Sequence, residues 1–443
     1  MINFPRYCLA MSMTAVSRTE FDQTAPTPSD QARKGEVGTS IELFTGGGGL
    51  AQAMHNVGFR HLLCNEYAPR ACETLLANTA VAWSDDMDPP TLVDDPWPLI
   101  EGNIRELFGG NRFEKSVFAP FEGKVDVVAG GPPCQPFSLG GVHKGDEDER
   151  NMFPQLFRVV RETRPRAIIC ENVHGLLRQS FKPYFDYIVR ELTAPFEQRD
   201  ESEKWYEHDA RLRALPEDPT DPAERYDVHV IPVNAANFGV PQVRRRVIIV
   251  AFRKDLDVQW RSPLPSHSEV LLRKAQRSGE YWERHGITPT LDQDESSDIV
   301  DAREEDGSAN RPWRTLRDAI HDLPEPVLGQ ESEGYYHHVG WPGARIYKGH
   351  TPNHPDRPAK TVKAGVHGVP GGETVMYDLN DLNHHRYMTV REVARVMTFP
   401  DSWRLAGPRG EQMRQLGNAV PVDLGQVFAD AVSKALRPHL EPT

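Results

Sequence analysis

In the first half of the chain, short continuous apolar runs alternate with stretches whose apolar residues fall at helical spacing. The run IELF at 41–44 ends in four glycines, a strand followed by a tight turn. LAQAMHNVGF at 50–59 spaces its apolar residues for a helix that Gly58 stops. HLLCNEY (61–67) predicts a second strand and APRACETLLAN a second helix. VDVVAGGPP (125–133) predicts a third strand, FPQLFRVVRET (153–163) a helix and AIICENV (167–173) a further buried strand. VHVIPVN (228–234) and RRRVIIVAFR (244–253) pair as later strands. Strands alternating with helices build β-α-β units and a parallel sheet. Uninterrupted Val/Ile/Leu cores fit strands covered on both faces. The expected fold class is α/β, a doubly wound, mostly parallel sheet.

The alternation stops near Lys254. Residues 255–385, rich in Pro, Gly, His and charge, are too long for a loop and predict a separate, irregular domain. That leaves residues 39–254 as the α/β domain and 386–443 as a segment that returns to it. YMTVREVARVMTFPD (387–401) predicts a helix stopped by Pro400, and QLGNAVPVDLGQVFADAVSKAL (415–436) a turn and an amphipathic helix. Residues 1–38 are polar and aperiodic and are expected to be a mobile leader, with Met11 and Met13 as alternative starts. The chain shows no internal repeat.

The formal charge of −13 argues at first against a nucleic-acid partner. Its distribution reverses that. Three stretches (71–104, 189–227 and 291–306) hold 27 acids and 7 bases, and the remainder carries a net +7. A basic working face is therefore available, and the acidic stretches are expected to be solvated loops or insertions. The five cysteines form no C-x-x-C pair and no zinc spacing, so neither a disulfide scaffold nor a metal site is expected, and a reducing cytoplasm fits. There is no run long and apolar enough for a membrane span, nor an N-terminal signal pattern.

Four places carry candidate chemistry. The glycine loop FTGGGGL, with Phe44, Gly46, Gly48, Gly49 and Leu50, lets backbone N–H groups approach a ligand before a helix. It lacks the spacing of a nicotinamide-dinucleotide site, but Glu66, at the end of the second strand, is placed to accept from ribose hydroxyls, and Tyr67 to lie against adenine. An adenosine-containing cofactor follows. In GGPPCQPFS (130–138), Cys134 lies just past a strand's carboxyl end in a loop stiffened by prolines, a poor core element and a good scaffold for a nucleophile. An ordinary thiol is only a few per cent ionised at neutral pH, so a nearby positive group or donor is expected. Glu171 of ENV closes an apolar strand, where partial burial would raise its pKa and suit a proton donor. In QVRRR (242–246), strand periodicity sets Gln242, Arg244 and Arg246 on one face, suiting an anionic or carbonyl-bearing substrate.

In this order the motifs resemble the DNA cytosine-C5 methyltransferases, over most of 40–254 and 385–436. IELFTGGGGL is similar to the turn that holds S-adenosylmethionine, NEY to the ribose- and adenine-binding segment, and GNIREL (102–107) to the next cofactor segment, with Asn103 where the family usually has Asp and Ile104 beside it. GGPPCQPFS resembles the nucleophile loop, ENV and QVRRR the other catalytic motifs, TVREVARVMTFPD the helix supporting the recognition domain, and QLGNAVPV the last motif. The resemblance implies a class I S-adenosylmethionine-dependent fold. It implies a mechanism in which Cys134 attacks C6 of a flipped-out cytosine, Glu171 assists protonation at N3 and Arg246 holds the ring carbonyl, with Arg244 on nearby backbone. Pro132, Asn418, Ala419 and Val420 would complete the cofactor site, and Gln135, Ser138 and Gln242 would meet the substrate.

The resemblance also makes 255–385 the target-recognition domain. Between Gly334 and Gly372 five bases (Arg345, Lys348, Arg357, Lys360, Lys363) face one acid, Asp356, which suits loops on DNA phosphates; Arg345, Lys348, Lys360 and Lys363 are the candidate contacts. The expected partner is double-stranded DNA. A bacterial restriction–modification or related defence system, with a cognate endonuclease, is the expected setting, and a monomer the expected state. A tRNA methyltransferase on the same scaffold is disfavoured by the length of 255–385. A non-catalytic DNA-binding relative is disfavoured by the intact Cys134, Glu171, Gln242, Arg244 and Arg246, and a hydride-transferring enzyme by the glycine pattern and the P-P-C loop.

Overall fold

Eight strands of the computed structural model hydrogen-bond into one sheet, in the order β3-β4-β2-β1-β5-β6-β8-β7. The structure describes residues 35–110, 112–133, 151–200, 202–289, 310–346, 348, 351–364, 374–379 and 381–439. The strands are β1 (Gly38–Leu43), β2 (Phe59–Glu66), β3 (Ala80–Ala82), β4 (Trp97–Glu101), β5 (Val127–Gly130), β6 (Ala167–Val173), β7 (Tyr226–Asn234) and β8 (Arg245–Arg253). β1 to β6 pair in parallel, whereas β8 runs antiparallel to both β6 and β7. The expected doubly wound, mostly parallel sheet is what forms, with an antiparallel hairpin at one edge.

Period-two alternation buries both faces. Val128, Ile168 and Ile249 join one cluster with Phe153, Leu156, Phe157 and Val160 of α3 (Phe153–Thr163) and Tyr184, Tyr187 and Ile188 of α4 (Lys182–Thr193). Val127, Ala129, Ile169 and Ile248 join another with Leu50 and Met54 of α1 (Gly49–Val57) and with the last helix of the chain. That last helix spans Val422–Leu436 and lays Leu424, Phe428, Val432 and Leu436, four residues apart, on the sheet and on α1. Each such side chain contributes roughly 1.5–3 kcal/mol relative to exposure. The C-terminal segment is thus a structural layer of the α/β unit. α2 (Pro69–Leu76) follows β2, with Pro at its first turn.

The described parts of the acidic stretch 189–227 are ordered. α5 (Trp205–Arg213) packs on α4 through Tyr187, Trp205 and His208. Some acids of the stretch are paired: Asp209 with Arg190 and Arg213, and Glu197 with Arg211 and Arg225. The segment after Lys254 is irregular but carries helices the sequence pattern did not predict. α6 (Glu269–Ser278) and α7 (Glu280–His285) hold a small core of Leu272, Tyr281 and Trp282. β9 (His267–Ser268) pairs with β10 (Arg311–Pro312), and β11 (Val375–Tyr377) with β12 (His385–Tyr387). α8 (Leu316–Ile320) and α9 (Val390–Val396) each start on a threonine capping box, Thr315 with Asp318 and Thr389 with Glu392. α9 ends at Val396, before Pro400, and α10 (Arg409–Asn418) leads into the final turn and α11, the Val422–Leu436 helix. No helix among the described residues is long and apolar enough to cross a membrane.

Candidate functional site

Along the sheet, β2, β1, β5 and β6 end side by side, and the direction of winding reverses between β1 and β5. Open α/β sheets bind ligands at such a switch point. The glycine loop leaves β1 there, and Gly131-Pro132-Pro133 leaves β5. Cys134, Gln135 and Ser138, the next residues of that loop, lie outside the described residues.

The glycine loop is held from two sides. On one side, Gly46 N–H donates to Glu66 Oε2 at 2.6 Å. Glu66 Oε1 accepts from the N–H groups of Tyr67 (2.8 Å) and Ala68 (2.7 Å). Burial raises the Glu66 pKa and these three backbone donors pull it back. Tyr67 leaves 71% of its surface exposed beside this carboxylate. On the other side, Trp403 Nε1–H donates to Gly47 O at 3.1 Å. Its ring occupies the space a side chain at Gly48 would need: a Cβ there, at φ +93°, would lie 2.6 Å from Trp403 Cζ2. A Cβ at Gly49 would lie 2.2 Å from Val420 O, so the start of α1 closes directly on the last turn. Leu50, Ala419 and Val420 are buried there, and Phe44 holds φ +54°. A carboxylate with spare acceptor capacity, an exposed aromatic ring and glycine backbone at the start of a helix fit an adenosine-bearing cofactor. Asn103, half-buried, caps its own turn: its side chain accepts from Arg105 N–H at the start of 104–107, with Ile104 buried.

At the other half, Glu171 Oε1 lies 2.7 Å from Arg246 Nε. The alignment is too poor for a hydrogen bond, so this is a charge contact, and Oε1 has no other partner among the described residues. The antiparallel turn brings these two together. Arg246, the second residue of β8, pairs with Val173, so the start of β8 reaches the edge at which the parallel strands end. Asn172 Nδ2 donates to Pro132 O at 3.0 Å and ties the end of β6 to the loop that carries Cys134.

Gln242 and Arg244 depart from the expected shared face with Arg246. β8 begins at Arg245, and residues 242–243 pair with Ala359 of the irregular segment. Gln242 is fully buried, accepting from Val362 N–H and donating to Met397 Sδ. Arg244, 1% exposed, donates to the carbonyls of Val362 (2.8 Å), Gly417 (2.9 Å) and Ala419 (3.0 Å). It clamps the irregular segment to the last motif. Asn418 lies between two of these carbonyls, at the end of α10. Arg345, Lys348, Lys360 and Lys363 are all exposed, with Lys360 Nζ bent onto Thr351 Oγ1 at 2.6 Å. Trp403 and Asn172 were missed as site residues. Asn172 stood inside a motif already singled out, whereas Trp403 is more than 350 residues from its partner and has no local signal.

The family model for C-5 cytosine-specific DNA methylases matches residues 38–194 and 222–434. The Escherichia coli type II methyltransferase M.Eco47II is 29% identical over 420 residues, covering 91% of this chain and 81% of its own. The Neisseria gonorrhoeae type II methyltransferase M.NgoMIV is 27% identical over 399 residues, covering 90% and 98%. The Picosynechococcus type II methyltransferase M.AquIA is 31% identical over 285 residues, covering 64% and 88%. Two solved structures share the fold at 16% identity: a prophage-encoded DNA modification methyltransferase of Escherichia coli (TM-score 0.54, 90% of this chain and 99% of that one) and Spodoptera frugiperda DNMT2 (TM-score 0.51, 89% and 99%).

Proposed function

The chain belongs to the C-5 cytosine-specific DNA methylase family, and on that premise we propose that it methylates C5 of cytosine within one double-stranded DNA sequence, through a flipped base and a covalent Cys134–C6 adduct. The observation that carries this reading is the convergence at one sheet edge of the glycine loop with Glu66, the Pro132 loop and the Glu171–Arg246 pair. S-adenosylmethionine, when bound by residues 44–50, 66–67 and 418–420, supplies an electrophilic methyl group.

The protein's own part is addition, proton control and orientation. The Cys134 thiolate forms a bond to C6, and the ring's electron density moves toward N3 and C5. Glu171 handles the proton at N3. Arg246 has Nε on Glu171 and Nη1 on Arg245 O, leaving Nη2 as the donor for the cytosine carbonyl. Once C5 carries the methyl group, loss of its proton and cleavage of the Sγ–C6 bond restore the aromatic ring. Gln242 and Arg244 act one layer away, holding 359–362 and 417–419 against the site.

Residues 255–385 are the proposed recognition domain, with Arg345, Lys348, Lys360 and Lys363 on phosphates. Type II relatives support a restriction–modification setting, and a cognate endonuclease and a cytoplasmic location are proposed with it. A monomer suffices, since one flipped base needs one site. Bisulfite sequencing of DNA from expressing cells tests the whole reading: one protected cytosine context is expected, and complete conversion would overturn it.

A further inference from the structure

We propose that Trp403 is a positioning residue for the cofactor loop, and that it links the shape of that loop to Tyr336 and His337 of the recognition segment. The inference rests on the reading that residues 44–50 hold S-adenosylmethionine. Glycines at 46 and 48, with φ +58° and +93°, leave the loop with wide conformational freedom that cofactor binding would have to remove. Two contacts remove it in advance. Glu66 holds the Gly46 N–H, and Trp403 holds the Gly47 carbonyl and fills the space beside Gly48. The indole is itself fixed by Phe399 and Trp97, with ring centroids 5.9 and 6.2 Å away.

The backbone on either side of this indole is tied to Tyr336 and His337 of the recognition segment, largely through Arg391 of α9. Arg391, fully buried, donates from Nη2 to Trp403 O at 2.7 Å, from Nη1 to Pro400 O at 3.0 Å and from Nε to Tyr336 O at 2.9 Å. Its own N–H donates to His337 O at 3.2 Å. Two residues past Trp403, Leu405 N–H donates to His337 Nε2 at 2.9 Å. Arg404 stacks on the Tyr336 ring, 4.3 Å from its centroid, and donates to its hydroxyl. His337 itself holds φ +65°, an unfavourable conformation for a non-glycine residue that these contacts sustain. Tyr336 is partly exposed, on the segment proposed to meet DNA. A continuous set of hydrogen bonds therefore runs from Tyr336–His337 through Arg391 and Trp403 to Gly47. A buried indole N–H takes an acceptor wherever it sits; what sets this one apart is that the acceptor is the Gly47 carbonyl of the glycine loop.

The test is titration calorimetry of the full-length protein with S-adenosylhomocysteine. Trp403→Phe keeps an aromatic ring and removes the N–H. Loss of one net hydrogen bond, worth about 1 kcal/mol, predicts roughly fivefold weaker binding. In turnover assays the KM for S-adenosylmethionine should rise by more than kcat falls. His337→Asn tolerates the left-handed backbone and removes the acceptor of Leu405 N–H; it should weaken S-adenosylhomocysteine by about two- to fivefold. If Trp403→Phe does not fold, His337→Asn carries the test alone. Unchanged affinity in both variants would overturn the inference, and unchanged affinity in His337→Asn alone would overturn the link to the recognition segment. Wild-type protein that fails to bind S-adenosylhomocysteine would instead overturn the underlying reading of the glycine loop.

Discussion

Arg246 Nε sits 2.7 Å from Glu171 Oε1 across the β6–β8 pairing, so the cation and the acid at the sheet edge position one another. Replacing Arg246 by Ala removes both the proposed carbonyl donor and the partner that orients Glu171. The expected loss is at least about 100-fold in kcat/KM. Tritium transfer from labelled S-adenosylmethionine into duplex DNA measures it. A loss below threefold would remove Arg246 from the reacting centre.

Cys134→Ser should abolish methyl transfer while leaving S-adenosylhomocysteine affinity nearly intact, because the nucleophile is not among the proposed cofactor contacts. Duplexes carrying 5-fluorocytosine should trap the wild-type protein covalently, and peptide mass spectrometry should locate the adduct on Cys134. An adduct on any other side chain would show the nucleophile to be misassigned.

Glu66→Ala strips the acceptor from three backbone N–H groups as well as from the proposed ribose contact. Binding of S-adenosylhomocysteine should weaken by roughly tenfold or more, since hydrogen bonds to a charged group are worth about 1.5–3 kcal/mol. Calorimetry reads this directly, and unchanged affinity would count against the ribose assignment.

Arg244→Ala should act on stability before chemistry. Three carbonyls lose their donor in a buried site, a change expected to cost about 3 kcal/mol or more. Urea unfolding should show the midpoint fall. Full stability with lost activity would instead place Arg244 at the substrate.

A pH dependence follows from Glu42 and His61, which face each other on β1 and β2 with Oε1 and Nδ1 3.6 Å apart and both side chains buried. Burial pushes the Glu42 pKa up to about 8 from 4.5. The folded state therefore keeps a proton that the unfolded chain releases, so stability present below pH 4.5 is lost as pH rises through about 8. Burial lowers His61 to about 3, so its contribution is lost as pH falls from 6.5 toward 3. Glu42→Gln should flatten the decline in melting temperature between pH 6 and 8.5, as scanning calorimetry can check. A decline as steep as that of the wild type would assign the effect to other groups.

Much of the fold was legible because it is written locally. β6 spans 167–173 and α3 spans 153–163, the residues whose spacing predicted them, since apolar periodicity decides elements that are buried on a whole face. β3 and β4 were not, because three residues and a Pro-containing five-residue run become strands only by pairing with a neighbour. α6 and α7 were hidden in a polar stretch with few core positions. Of the candidate site, Glu66, Glu171 and Arg246 stand at strand ends where motif and periodicity agreed. Gln242 and Arg244 were placed on an open face because strand spacing says nothing of residues 359–362, which arrive from far along the chain and cover them. Trp403 illustrates the same limit from the other direction: its partner is set by tertiary packing alone.

The pairing of Gln242 and Val243 with Ala359 and Val362 bears on how sequence specificity can be exchanged between relatives. A chimera joined at 385 would import a foreign strip into the gap between β8 and the last turn. Arg244 would then keep the native Gly417 and Ala419 carbonyls but meet a foreign residue in place of Val362. Joining the donor sequence ahead of Ala359 leaves that seam native and confines the transplant to the part proposed to read bases.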